Sequence, residues 1–499
     1  MSESRSLVRS MLVIGSAQAV NIVISIIRMK VLALLLGPSG VGIYSIYTNI
    51  QGMLGQIAGL GMGSSGVREI ASSRGEEATL SRVRRVLFAA HLVQGGLAMG
   101  AVWLLRTPIA TWLFGHASYA TEVGLIGVAT LLALLGTAQT ALLQGLRRIA
   151  DLGRVTVLAA FTGTVVGLIA VWVHGEGGLI WFILVEPLAT VLVALNFTLR
   201  QPRPTAARLS MTEIWDIWKP MAKLGAAFML GALATTATLL LIRGRISQEL
   251  GLDAAGHFAA AWAISMTYLG FILGAMGADY FPRLAEVIHD RVTTVRLMND
   301  QVQLSLAIAG PLLLLLIGLA PWVVTLLYSP DFGPAVFLLQ WQTIGNVFKL
   351  ASWALGFSLA ASARGKPFLL VQVNFNILFL AMIWPTLETF GIQAAGPAFT
   401  IAYFLHFCLL NALVRRNHGF RWQALSLGLI GLYSGLSVAL LSMSLFAPLA
   451  AFITSPFLSA VTGLFGLRVV LIKIGRKGRL AARLARFYAA IGWPIPETR

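Results

Sequence analysis

The sequence predicts an all-α integral membrane protein of about fourteen transmembrane helices. Three observations predict it. Only 11% of the 499 residues are charged, whereas soluble domains carry about 25%; 57% are hydrophobic and mean hydropathy is +0.81. Apolar stretches near the ~20 residues that span a bilayer recur along the whole chain. Basic residues alternate with those stretches, so the net charge of +18 does not form a nucleic-acid footprint. Open strands cannot exist in lipid, and the spans are too long for a porin-like barrel.

Charged or Gly/Pro punctuation separates the spans in order. The first six are 11–36, 41–64, 86–105, 121–145, 154–174 and 179–198. The next six are 221–246, 255–279, 300–328, 334–360, 367–388 and 391–413, and two more follow at 425–447 and 450–471. Ala17-Gln18-Ala19 resembles a signal-peptide cleavage site, but the apolar run continues past it, so residues 11–36 read as a retained first helix. The single cysteine, Cys408, allows no disulfide within the chain and reads as a small buried hydrophobe; no Cys/His cluster has metal spacing. No metal and no cofactor are expected.

Lys and Arg mark one side. They cluster at Arg82-Val-Arg84-Arg85, Arg147-Arg148, Arg200 to Arg208, Arg291 to Arg296, Arg364-Gly-Lys366, Arg415-Arg416 and the tail. The positive-inside rule makes that side, and both termini, cytoplasmic. The resulting organisation is a six-helix lobe over 1–198, a basic cytoplasmic linker over 199–220, a second six-helix lobe over 221–415, two additional helices over 422–472, and a basic cytoplasmic tail over 473–499. In the tail, Arg479, Arg483 and Arg486 oppose Leu480, Leu484 and Phe487 at helical spacing, a pattern for a helix lying on the anionic inner leaflet or for a solvated tail.

The lobes repeat each other. IIRMKVLALLLGPSGVGIYS (26–45) matches LIRGRISQELGLDAAGHFA (241–259), and GLGMGSSGVREIA (59–71) matches GAMGADYFPRLAE (274–286). Arg28 pairs with Arg243, Lys30 with Arg245 and Arg68 with Arg283, each 215 residues on. Six spans per copy, each starting inside, make the repeats parallel, which is a transporter architecture with its substrate site at the repeat interface.

Charges deep in a span are expensive and functional by default. Arg28 lies nine residues before Gly37, ~13 Å from the end of its helix, and Lys30 is ~10 Å from it on another face. With Arg243, Arg245 and Lys349 they predict a cationic cavity for an anionic group such as a pyrophosphate, because Arg offers a planar fork and Lys a point charge. The plainer reading is snorkelling and structural pairing, with Glu249 as a partner. Gln340, Gln342, Asn346, Gln372, Asn374 and Asn376 suit either sugar hydroxyls or helix–helix hydrogen bonds. Glu186 sits inside span six and is a candidate, with His257, for ion coupling. Arg68, Glu69, Asp279 and Arg283 fall at the cytoplasmic ends of the repeated second helices and read as a gate, or as simple pairs. The Gly59–Gly66 run lacks the Lys-Ser/Thr of a phosphate loop and reads as close packing or a hinge.

A first helix with a mid-to-outer cation, the turn GPSGVGIY, and a second helix ending in a Gly-rich stretch and VREIA resemble the Wzx-type O-antigen/polysaccharide flippases. These belong to the multidrug/oligosaccharidyl-lipid/polysaccharide exporter (MOP) superfamily. The resemblance covers roughly residues 5–415 and is most specific over 28–71. It implies two six-helix lobes in a V around a central cavity. It also implies flipping of undecaprenyl-diphosphate-linked oligosaccharide to the outer leaflet of the bacterial inner membrane by alternating access; with no Walker motif in the sequence, the energy source reads as an ion gradient or the substrate gradient itself. Related peptidoglycan-precursor flippases use a cavity Arg nine residues before the same glycine, which puts that role on Arg28, and their last two helices form a lipid groove. They carry an Asp in the turn that this chain lacks, which favours the polysaccharide branch. Multidrug/cation antiporters of the same fold need cavity acids, and an oligosaccharide polymerase or ligase needs large outer loops, both poorly matched here. The implied partners are a polyprenyl-diphosphate-linked glycan, the bilayer and a polysaccharide polymerase/export complex. The chain is not expected to be an enzyme.

Overall fold

A computed structural model describes residues 3–201, 209–362, 365–474, 479–490 and 492–495. Residues 202–208 of the basic linker, Arg364, and residues 475–478 and 496–499 of the tail lie outside the described residues. Among those described, fifteen α-helices and no strand occur. They are α1 (Glu3–Gly59), α2 (Met62–Ser72), α3 (Glu77–Phe114), α4 (Ala120–Gly145), α5 (Ile149–His174), α6 (Leu179–Thr198), α7 (Met211–Leu250) and α8 (Leu252–Val287). There follow α9 (Arg291–Leu327), α10 (Gly333–Ala361), α11 (Gly365–Phe390), α12 (Ala395–His418), α13 (Ala424–Phe446), α14 (Pro448–Ile474) and α15 (Arg479–Ala490).

Among the described residues, eleven helical runs are long and apolar enough to cross a membrane. Three of them, Gly15–Gly59, Ile149–Thr198 and Leu369–His418, contain a break at Gly37, Gly175 or Gly391, so the runs supply the fourteen crossings read from the sequence. The break at Gly37 is a reversal. Residues 28 and 44 would stand ~24 Å apart on a straight helix, yet the Arg28 guanidinium is 6.0 Å from the Tyr44 ring centroid. Gly37 turns the chain at φ 66, where a Cβ is disfavoured. Its repeat partner Gly251, between α7 and α8, does the same at φ 85.

Many large apolar side chains point away from the protein, among them Leu97, Leu104, Trp172 and Phe446 at 70%, 83%, 76% and 87% exposure. Such a surface suits lipid, and in water it would drive association.

The chain forms two compact units, Met1–Gly256 with Leu327–Ser329, and His257–Leu326 with Pro330–Arg499. In the first, α7 runs along the second arm of α1. At one end, a Cβ on Gly42 would meet Leu252 O at 2.3 Å, and one on Gly256 would meet Pro38 O at 1.9 Å. Gly42 and Gly256 occupy equivalent places in the two repeats, as do Pro38 and Leu252. The contact is therefore reciprocal, as a two-fold relation between the copies requires. At the other end, a Cβ on Gly61 would lie 2.1 Å from Gly225 O, and Ser65 Oγ donates to Met221 O at 2.8 Å. The glycine run thus serves as a helix break, with Gly61 at φ 63, and as a close-packing surface. Ahead of α7, Ser210 and Glu213 form a capping box. The Ser210 backbone and side chain, followed by Arg82, hold the Glu213 carboxyl below the usual carboxylate range.

In the second unit, α13 and α14 are built into the core rather than appended. Asn299 on α9 donates to Arg421 O at 3.0 Å and accepts from Gln423 N at 2.9 Å and Ser426 Oγ at 2.8 Å. Its amide satisfies the start of α13, where helix N–H groups have no partner within the helix. Lys473 on α14 pairs with Asp300.

Candidate functional site

Arg28, Tyr44, Thr48 and Gln51 on α1, Gly136, Thr137 and Thr140 on α4, and Phe182, Ile183 and Glu186 on α6 line a cavity of about 380 Å³ in the first unit. Arg28 Nη1 donates to Glu186 Oε2 at 2.6 Å. Both residues stood out in the sequence, but nothing in it pairs them. Glu186 is seven residues into α6 and Arg28 nine before its turn, so both lie ~10–13 Å below their helix ends. That shared level lets two crossings meet.

The local sequence explains how Glu186 is held. A Cβ on Gly163 would come within 2.7 Å of Glu186 Cβ, so the bare glycine lets α5 press against α6 at this residue. Pro187 has no N–H, which leaves the Ile183 carbonyl without its helical donor. Gln51 Nε2 supplies one at 3.5 Å. Thr137, Thr140 and Thr190 donate to carbonyls of their own helices, so they turn acceptor lone pairs to the cavity. Arg28 provides its positive charge.

A second cavity, about 300 Å³, shares Ala133 and Thr137 with the first and follows the glycine face of α1 past Gly52, Gly55 and Gly59 to Gly61 and Gly63. His91 borders it, fully buried, with Nδ1 2.8 Å from Leu87 O.

The other cations have protein partners. Lys30 Nζ donates to Tyr328 O at 2.5 Å, beyond the C-terminus of α9, where helix carbonyls favour a cation. Arg243, 7% exposed, donates to Ser45 O at 3.0 Å and ties α7 to the second arm of α1. Arg245 pairs with Glu249 at 2.5 Å, one helical turn away, as the plainer reading of the sequence has it. In the second unit, Lys349 Nζ lies 2.9 Å from Met266 Sδ and 5.5 Å from the Tyr403 ring centroid. Near it on the same helix, Gln340 donates to Ile317 O and Ser444 Oγ, and Asn346 to Ser265 Oγ, so these amides act as helix–helix hydrogen bonds. His257 meets Phe332 edge-on at 5.7 Å. Asp279 pairs with Arg283 at 3.1 Å, both side chains exposed. Arg68 and Glu69 lie side by side on α2, Arg68 exposed and Glu69 half-buried. No group of three or more potential metal ligands occurs among the described residues.

The profile of a family described as "Polysaccharide biosynthesis protein" matches residues 31–337, more than half of the chain. The chain belongs to this family. Among curated relatives, the lipid III flippases of Escherichia coli (strain K12) and Shigella flexneri are each 26% identical over 416 residues, covering 81% of this chain and 97% of theirs. An inward-closed structure of the lipid II flippase MurJ matches with TM-score 0.64 at 11% identity, over 92% of this chain and 99% of that one. An inward-facing multidrug resistance MATE transporter of the MOP superfamily also matches with TM-score 0.64, at 15% identity over 78% and 95%. The family resemblance read from residues 28–71 therefore holds, and the fold is that of the MOP superfamily. The proteins that this family member resembles are flippases and transporters.

Proposed function

We propose that this family member flips an oligosaccharide linked to undecaprenyl diphosphate from the inner to the outer leaflet of the bacterial cytoplasmic membrane, by alternating access. The observation that carries the reading is Arg28: a mostly buried guanidinium, opening onto a cavity of about 380 Å³ and already engaged by an anionic carboxylate. A site that holds a carboxylate oxygen on a guanidinium fork suits a phosphate oxygen equally well. The family match and the similarity to lipid III flippases support a lipid-linked substrate.

In this reading Arg28 is the principal phosphate ligand, and Lys349 offers the second unit a cation of the same kind. Arg68 and Arg283 attend the cytoplasmic entrance, and both termini are cytoplasmic. The glycan and its pyrophosphate move through protein while the prenyl tail stays in lipid. An antiporter of cationic drugs is disfavoured, since the acid in this cavity is already paired with a cation.

The test is export in cells. Arg28→Ala should abolish delivery of glycan to the outer face while the variant inserts at wild-type level, with lipid-linked repeat units accumulating on the inner face. Wild-type export by that variant would sink the proposal. A drug-susceptibility panel, with and without the protein, separates it from multidrug transport.

A further inference from the structure

We propose that Glu186 is a built-in occupant of the anion site on Arg28, which an arriving diphosphate displaces. The inference rests on Arg28 being the phosphate ligand and says how that site is kept when empty.

The geometry gives the two partners unequal access. The Arg28 side chain is 12% exposed and that of Glu186 is 37% exposed. An anion entering the cavity therefore meets the carboxylate edge first and can replace it on the guanidinium. The guanidinium itself is fixed: its helix is anchored at the Gly37 turn, and the Tyr44 ring lies 6.0 Å away. A buried guanidinium without a counter-charge is expensive, so an empty anion site in a membrane needs a substitute anion. Glu186 supplies one from the opposite wall.

The charge balance follows from what lines the cavity. From α1 the charged or titratable groups are Arg28 and Tyr44; α6 gives only Glu186. The α4 wall is Ala133, Gly136, Thr137 and Thr140, and α5 meets Glu186 through Gly163. Among the described residues no other cation lines this cavity, so Glu186 and the incoming diphosphate compete for Arg28. No covalent bond changes: one anion leaves the guanidinium and another arrives. Linkage is reciprocal, so the contact that holds Glu186 on Arg28 weakens diphosphate binding by the same factor by which diphosphate loosens that contact.

The experiment uses the full chain in lipid nanodiscs and farnesyl diphosphate, a soluble polyprenyl diphosphate. Titration calorimetry at pH 8 gives the affinity of each protein. If the pair is closed ~90% of the time, Glu186→Gln should bind about tenfold tighter than wild type, because its internal competitor has lost its charge. Glu186→Ala, which lacks the amide oxygen as well, should behave the same way; it carries the test if the Gln variant is not monodisperse. Equal affinities in wild type and both variants overturn the inference. Arg28→Ala keeps the two readings apart. If it loses binding while Glu186→Gln matches wild type, only the displacement idea falls. If it binds like wild type, or if wild type binds no diphosphate, the phosphate role of Arg28 falls and takes this inference with it.

Discussion

Arg28 and Arg243 stand at the same place in two copies of one helical hairpin, and they do different things. Each lies roughly two helical turns before a glycine with positive φ that ends its helix. Arg28 reaches a carboxylate across a cavity; Arg243 is buried against a backbone carbonyl of the other copy. The neighbouring positions diverge likewise: Lys30 donates to Tyr328 O beyond the end of α9, and Arg245 pairs within its own helix. At the repeat offset of 215, Glu186 falls on Ile401, an apolar residue. Cations at matching positions of the two repeats thus meet a cavity carboxylate in one copy and attach one helix to another in the other. Matching positions share a distance from the turn, while their neighbours decide what they touch.

The largest test of this contrast is the pair of substitutions Arg28→Ala and Arg243→Met. The first should abolish export and diphosphate binding while leaving the thermal midpoint near wild type. The second should do the reverse: it removes a buried charge-assisted hydrogen bond, of the kind that contributes ~1.5–3 kcal/mol. A lowered midpoint with farnesyl diphosphate affinity within a few-fold of wild type is the expected outcome. Loss of binding in both with stability intact would make the two arginines one functional set.

Next come the glycines that lock the copies together. A Cβ at Gly256 or Gly42 would press on backbone oxygen, so Gly256→Ala and Gly42→Ala should each destabilise by about 1–3 kcal/mol through overpacking. Because the contact is reciprocal, the double variant should lose less than the sum of the two, which thermal unfolding of the three proteins would reveal. Strict additivity would argue that the two contacts are independent.

The smallest effect belongs to Arg245→Gln. A partly exposed i,i+4 pair contributes only about 0.3–0.5 kcal/mol. Export and stability should both stay close to wild type, and a severe export defect would return Arg245 to the phosphate-binding set.

Some of this was legible without coordinates, and the reasons are local. Arg28's depth follows from counting residues to Gly37. Arg245–Glu249 follows from one turn of helix. Gln340 and Asn346 follow from the rule that amides in apolar helices bond to neighbouring helices, although their partners do not. The meeting of Arg28 with Glu186 was not legible, since 158 residues separate them and no periodic pattern links the two. Arg243's partner was even less so, because a backbone carbonyl has no sequence signature.

The sequence by itself determined the helical membrane fold, the crossings, the repeat and the level of each charge. Those follow from bilayer thickness, a fixed helical rise and the expense of unsatisfied backbone in lipid. Only the tertiary structure decided which charges meet, which glycines lie against carbonyls and which arginine keeps an open cavity. Pairing depends on how helices distant in the chain turn their faces to each other, and that is set by packing over whole surfaces rather than by any short stretch.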